Sequence, residues 1–316
     1  MCLIYPAGNS KLKAIPPEGK NRGGAVNLAL ERIKYIAAVV LYGTIGMLLR
    51  YVALPSEIVA MCRGLIGSAF ILLYMQARHQ RLDWRAIRRN GKWLILAGVS
   101  LGLNWIFLFA AYMQTTVAIA SLCNYMAPII VILIAPVVLK ERLDKRKVPC
   151  VIAAFVGIIL VSGFWNGTAG SASGILMGLL AAVSFVVIVI CNRKLSEIPA
   201  LDKSVVQLAL SAITILPYVL IKNRGAALEA DMRSVLIIIV LGLVHTGAAY
   251  CMYFSGMGSL PVQTVAVLGY LEPVVSVLCS ALFLHEAMGA AGWIGAILII
   301  GAAVVSESLK EERSCG

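Results

Sequence analysis

The sequence predicts an all-α integral membrane protein, with ten transmembrane helices arranged as two inverted five-helix repeats. Three observations carry that expectation. First, 60% of the 316 residues are hydrophobic and 13% are charged, with a mean hydropathy of +0.91. Only a lipid-facing surface absorbs such an apolar excess. Second, Tyr125-Met126-Ala127-Pro128 returns 145 residues later as Tyr270-Leu271-Glu272-Pro273, and Leu139 and Glu141 return as Leu284 and Glu286. Third, most of the 27 Lys and Arg residues fall on alternate segments between the apolar runs, the bias that marks cytoplasmic loops.

The elements follow in order. A bilayer's hydrocarbon is about 30 Å thick and takes about 20 helical residues to cross. Apolar runs of that length predict spans at 33–53, 57–76, 93–112, 115–138, 148–165, 173–191, 204–221, 234–254, 261–284 and 289–306. Several loops are short enough that adjacent spans must be antiparallel hairpins. Residues 1–31, polar and carrying Pro16-Pro17 and Gly23-Gly24, are expected to be a flexible cytoplasmic tail. Residues 32–166 and 172–307 are the two expected five-helix units, and 308–316 a short cytoplasmic tail. The basic connection 77–92, with Trp84 and Trp93, reads equally well as an interfacial helix and as a solvated loop. Gly98-x-x-x-Gly102 and Gly174-x-x-x-Gly178 are patterns that let helices approach closely.

A net charge of +12 suggests nucleic acid, but the positions of the charges argue against it and for orientation in a lipid bilayer. A five-span unit is odd-numbered, so its second copy must enter the membrane upside down. The loop after Glu141 holds Arg142, Lys145, Arg146 and Lys147, whereas the loop after Glu286, from Ala287 to Ala290, has no basic residue. Charge and repeat therefore agree, with both termini inside. The eight cysteines are scattered without a C-x-x-C or a nearby His cluster, so free thiols are expected and no metal or cofactor is called for. There is no G-x-x-x-x-G-K-[ST] loop, which excludes ATP as a direct driver within this chain. Asn166-Gly167-Thr168 matches a glycosylation acceptor but is read as chance.

At its paired Y-x-x-P segments the chain resembles the EamA family of the drug/metabolite transporter superfamily. Asn104-Trp105, the run from Tyr125-Met126-Ala127-Pro128 to Leu139-Lys140-Glu141, and the run from Leu271-Glu272-Pro273-Val274 to His285-Glu286 carry the likeness, over about 33–306. The resemblance implies ten helices, a central cavity between inverted repeats, and permeases of the cell inner membrane that often export amino acids or related compounds. One departure is that Lys140 before Glu141 is replaced by His285 before Glu286.

Within the spans, Glu272 is the one acidic residue expected near a span's middle, where a carboxylate costs roughly 3 kcal/mol on insertion scales. It must face a polar cavity or a partner. It suits a cation or amine contact or a proton-coupling group, or else a protonated carboxyl pinning two helices. Pro128 and Pro273 lie inside matching spans, as hinges opening a cavity or as static bends. His245, mid-span, is either a proton relay or a neutral interhelical bond. Asn104, Trp105, Tyr42, Asn124, Tyr125, Tyr250 and Tyr270 suit a site for a zwitterion or an aromatic ring, or ordinary helix–helix hydrogen bonds. Arg63 is placed near the outer end of the second span, close enough to snorkel, with anion binding as the alternative. Arg50 and Glu57 flank the same outer loop and are expected to pair.

The leading function is a secondary-active permease for a small-molecule solute, exporting by alternating access, with protons the candidate coupling ion and a homodimer the candidate assembly. A multidrug or nucleotide-type exchanger of the same fold is the alternative. A membrane-embedded transferase would need a constellation of nucleophile, base or metal groups that the chain lacks.

Overall fold

In a computed structural model, the chain is described at residues 22–127, 129–130, 134, 146, 148–161, 171–195, 197–223, 230–260, 268–269, 271–286 and 288–309. Among these residues the regular structure is entirely helical: α1 (Arg22–Leu49), α2 (Ser56–Ala77), α3 (Trp84–Arg89), α4 (Gly91–Gln114), α5 (Val117–Asn124), α6 (Val148–Val161), α7 (Ala172–Lys194), α8 (Ala200–Lys222), α9 (Met232–Gly242), α10 (Ala249–Ser259), α11 (Leu271–Phe283) and α12 (Ala290–Ser308). A π-helical turn, Leu243–Ala248, joins α9 to α10 in one rod. Among the described residues, six helices are long and apolar enough to cross a membrane, and Val148–Val161, Leu271–Phe283 and Ala290–Val305 are shorter apolar helices. Their outer faces carry Leu73, Ile95, Ile213, Ile221, Leu236 and Ile297 in exposed positions, as lipid contact requires.

Helix pairing is reciprocal. The helix α1 packs on α10 and α11, while α7 packs on α4 and α5; α2 pairs with α8, and α6 with α12. Exchanging α1 with α7, α2 with α8, α4 with the α9–α10 rod, α5 with α11 and α6 with α12 returns the same scheme. Small residues allow these crossings. A Cβ on Gly157 would stand 2.8 Å from Gly295 O, and one on Gly295 2.5 Å from Gly157 O, so α6 and α12 meet backbone to backbone. The predicted glycine pairs behave alike: Gly102 faces Ser211 O on α8, and Gly178 faces Cys123 on α5.

Some expectations change. Residues 22–31, expected in the flexible tail, are helical. That extension is docked, since Glu31 accepts from Lys34 at 2.8 Å and from Ser255 on α10 at 2.7 Å. The connection 77–92 contains α3, whose N-cap Asp83 accepts from the backbone N–H groups of Arg85 and Ala86 at 3.1 and 3.0 Å. Arg50 and Glu57 do not pair. Arg50 instead meets Glu286 at 2.8 Å, and Glu57 meets Lys222 at 3.1 Å, because the start of α2 packs on the end of α8. At the entry to α9, Asp231 accepts from Ser234 N–H at 3.1 Å, and the Ser234 hydroxyl and N–H together hold its carboxyl below the usual carboxylate range. Cys62, Cys123, Cys150, Cys191, Cys251 and Cys279 are free thiols.

Candidate functional site

The helix α2 brings a guanidinium into the apolar centre. Arg63 is 3% exposed, its Cζ lies 4.4 Å from the centroid of Trp105 and 5.8 Å from that of Phe109, and its Nε donates to Thr246 Oγ1 at 2.8 Å. Snorkelling fails here because the side chain is held from both sides, by the indole face on α4 and by the hydroxyl on the π turn. Gly67, one turn further along α2, is what lets the π turn approach, since a Cβ there would collide with Thr246.

The π turn sets two side chains at once. An extra residue in a helical turn rotates those that follow and frees backbone carbonyls. Thr246 Oγ1 donates back to Leu241 O at 2.8 Å, leaving its lone pairs for Arg63. His245 Nε2 stands 3.1 Å from Thr44 Oγ1 on α1, and its Nδ1 3.4 Å from Val240 O. The Thr44 hydroxyl, which donates to Leu41 O at 2.8 Å, lies between that carbonyl and Nε2. Thus the second half of the chain contributes a histidine to α1 and a threonine to α2.

Phenols complete the centre, and the Tyr112 ring stacks on that of Phe109 with centroids 6.0 Å apart. The ring centroids of Tyr42 and Tyr250 are 6.0 Å apart, edge to face, and the aromatic row continues to Tyr253 and Tyr35. A buried hydroxyl chain runs from Tyr112 to Ser121 at 3.2 Å and on to Ser276 at 2.6 Å, crossing from α4 through α5 to α11. Gly43 admits α11 against α1, for a Cβ there would stand 2.7 Å from Glu272 O.

Of the residues singled out from sequence, Trp105, Tyr42, Tyr250 and His245 meet at this centre, and Glu272 lies in the first turn of α11 with its backbone against Gly43 of α1. Asn104 and Asn124 do not: Asn104 Nδ2 donates to Asn124 Oδ1 at 3.1 Å and to Ala181 O on α7 at 2.8 Å, a tie between helices. Tyr125 is buried at the C-terminal cap of α5, and Pro273 is buried in α11. Pro128 and Tyr270 lie outside the described residues, as do Leu139, Lys140, Glu141 and Asn166-Gly167-Thr168. The sequence reading left Thr246, Phe109 and Tyr112 out of the site and held anion binding by Arg63 only as the alternative to snorkelling. A lone basic residue inside an apolar span was a usable signal for Arg63; nothing in the local sequence marks the π turn.

A second polar cluster lies at the C-terminal end of α1. Glu286 accepts from Arg50 Nη2 at 2.8 Å and from Val117 N–H at 2.9 Å, and Ser280 Oγ also donates to it. Arg50 Nη2 further donates to Thr115 O at 2.6 Å. One carboxylate thereby closes the ends of α1, α5 and α11 together.

The family model for EamA-like transporters matches residues 33–163 and again 172–307. The chain belongs to the EamA-like transporter family. Among its relatives, "Uncharacterized transporter YxxF" of Bacillus subtilis (strain 168) is 25% identical over 254 residues, covering 79% of this chain and 81% of that protein. The "Probable amino-acid metabolite efflux pump" of Salmonella typhimurium (strain LT2) is 29% identical over 222 residues, 65% of this chain and 74% of its own length. "Aromatic amino acid exporter YddG" of Ancylobacter novellus is 27% identical over 207 residues, 64% of this chain and 71% of its own. A solved protein structure superposes with a TM-score of 0.62 over 89% of this chain and 97% of that one, at 24% identity, which speaks to the fold alone. This EamA-like protein is a multi-pass membrane permease for small-molecule solutes, not an enzyme.

Proposed function

We propose that this permease is a secondary-active exporter of amino acids or related compounds, working by alternating access around the Arg63–Trp105 centre. Two inverted units, 32–166 and 172–307, rock about that centre in the cell inner membrane, with the tails 1–31 and 308–316 both cytoplasmic. Support for inversion comes from direction. Glu57, at the start of α2, meets Lys222 and Asn223 at the end of α8, so these equivalent helices run antiparallel. The observation that carries the functional reading is a buried cation, Arg63, held between aromatic faces of the first unit and the Thr246 hydroxyl of the second. Export of amino acids is what two relatives' names state of those proteins.

Protons are the coupling ion in this reading, with Glu272 the group that exchanges them. The test is counterflow in proteoliposomes with amino acids, nucleosides and cationic drugs, with and without a pH gradient. Amino acids should saturate and counterflow, whereas the drug or nucleoside arm winning would move the permease to the alternative class. Glu272→Gln should lower gradient-driven transport at least tenfold with normal membrane yield. Unchanged coupling in that variant would remove the assigned role.

A further inference from the structure

A guanidinium stays charged at any physiological pH, and its five N–H donors form a fork that matches a carboxylate. The two arginines at the ends of this hairpin spend that fork differently. Arg50 commits Nη2 to Glu286 and to Thr115 O, which makes it a structural tie. Arg63 makes one hydrogen bond, from Nε to Thr246, and among the described residues neither an ion pair nor an acceptor engages its two Nη groups. The π faces of Trp105 and Phe109 lie against the guanidinium. Gln207, which stands at the same repeat offset as Pro199 to Pro55, is spent on Asn192 Oδ1 at 2.8 Å. The second half therefore offers no matching fork.

We propose that the Nη edge of Arg63 seats the carboxylate of the transported solute. The inference rests on the amino-acid reading above and makes it specific, since the solute must carry a free carboxylate. The indole over one face and Thr246 on Nε fix the fork's direction, so the seat is built before the solute arrives. A single seat in a two-fold scaffold also gives the bound solute one orientation.

The wild-type protein decides first. In proteoliposome counterflow of labelled L-phenylalanine, unlabelled L-phenylalanine should compete at least 100-fold better than phenethylamine, which lacks the carboxylate. It should compete at least tenfold better than 3-phenylpropionate, which lacks the amine. Equal competition by phenethylamine overturns the seat without any variant. Arg63→Gln should lower phenylalanine counterflow at least tenfold and lose the preference over phenethylamine, while Arg63→Lys keeps part of it. A folded Arg63→Gln protein with wild-type counterflow and preference overturns the assignment. If the wild type moves no amino acid, the functional reading fails separately from the seat. Phenylglyoxal modification of the same proteoliposomes, read at Arg63 by peptide mass spectrometry, then tests the seat alone. Protection by 3-phenylpropionate and not by phenethylamine supports it, and absence of protection, or of modification, overturns it.

Discussion

The third span of the first half, α4, is one unbroken α-helix from Gly91 to Gln114, whereas its counterpart in the second half opens into a π turn at Leu243–Ala248. Around both, the packing is shared. Gly102 and Gly247 stand at the repeat offset of 145, and each lies where a neighbouring helix leaves little room for a Cβ. The chemistry is not shared: Arg63 corresponds to Gln207, Glu272 to Ala127 and His245 to Ser100. A duplicated scaffold thus keeps its contact residues in both copies and changes the polar ones in each. Close packing constrains a position from all sides, while a site needs its unlike charges once.

The inversion is the boldest part of that comparison, and the most absolute to test. In a cysteine-free background, single cysteines replacing Arg146 and Met288 should label from opposite sides of the membrane with an impermeant maleimide, an all-or-none outcome. Labelling of both from one side would end the mirror relation and, with it, alternating access between the two units.

The halves should also respond unequally to the same change. A Cβ on Gly247 would stand 2.5 Å from the Phe70 ring, and one on Gly102 would stand 2.9 Å from Ser211 O. Both alanine variants overpack a helix crossing, at a cost of about 1–3 kcal/mol, which thermal unfolding in detergent can compare. Their transport should diverge. Displacing Phe70 moves α2 and the Arg63–Thr246 bond, so Gly247→Ala should lose at least tenfold in counterflow. Gly102→Ala touches α8 and should lose stability with a far smaller change in rate. Equal losses of transport would mean that the π turn carries no special role.

How much of this was written in the sequence depends on dimension. Spans, repeat and basic loops are one-dimensional signals, and the helical architecture follows from them. The direction of a side chain around its helix axis is not such a signal. Arg63 lies seven residues from the start of α2, a distance that suits snorkelling, yet its rotation about the axis points it at Trp105. An amide mid-span is equally ambiguous, and Asn104 and Asn124 turned out to bond each other. The π turn packs against Gly67 through Thr246, a contact between distant segments that leaves no local pattern to read. Glu286 was legible as a repeat residue, but two of its three donors, Arg50 and Val117, come from chain segments far away, which no local spacing predicts.

The smallest expected effect probes the best-matched elements, α2 and α8, each of which carries an acid in its first turn that reaches its partner. Glu57 accepts from Lys222 at 3.2 Å and from Asn223 at 3.2 Å, while Asp202 accepts from the Asp83 N–H beyond the end of α2 at 2.9 Å. Both acids are buried, but the donors they hold are partly in solvent, so each alanine replacement should cost about 1 kcal/mol. Asn223 keeps its bond to Val219 O when Glu57 is removed, which limits the damage at that end. The two latches sit at opposite ends of an antiparallel pair and share no partner, so the double variant should lose the sum of the single losses. If the two units rock about the central site, loosening the Glu57 end should raise labelling of the centre from outside, and loosening the Asp202 end should raise it from inside. Cys62, which flanks Arg63, is a native thiol at the right depth to report this. Equal labelling from both sides in both variants would leave the latches as mere fasteners and deny the pair any part in gating.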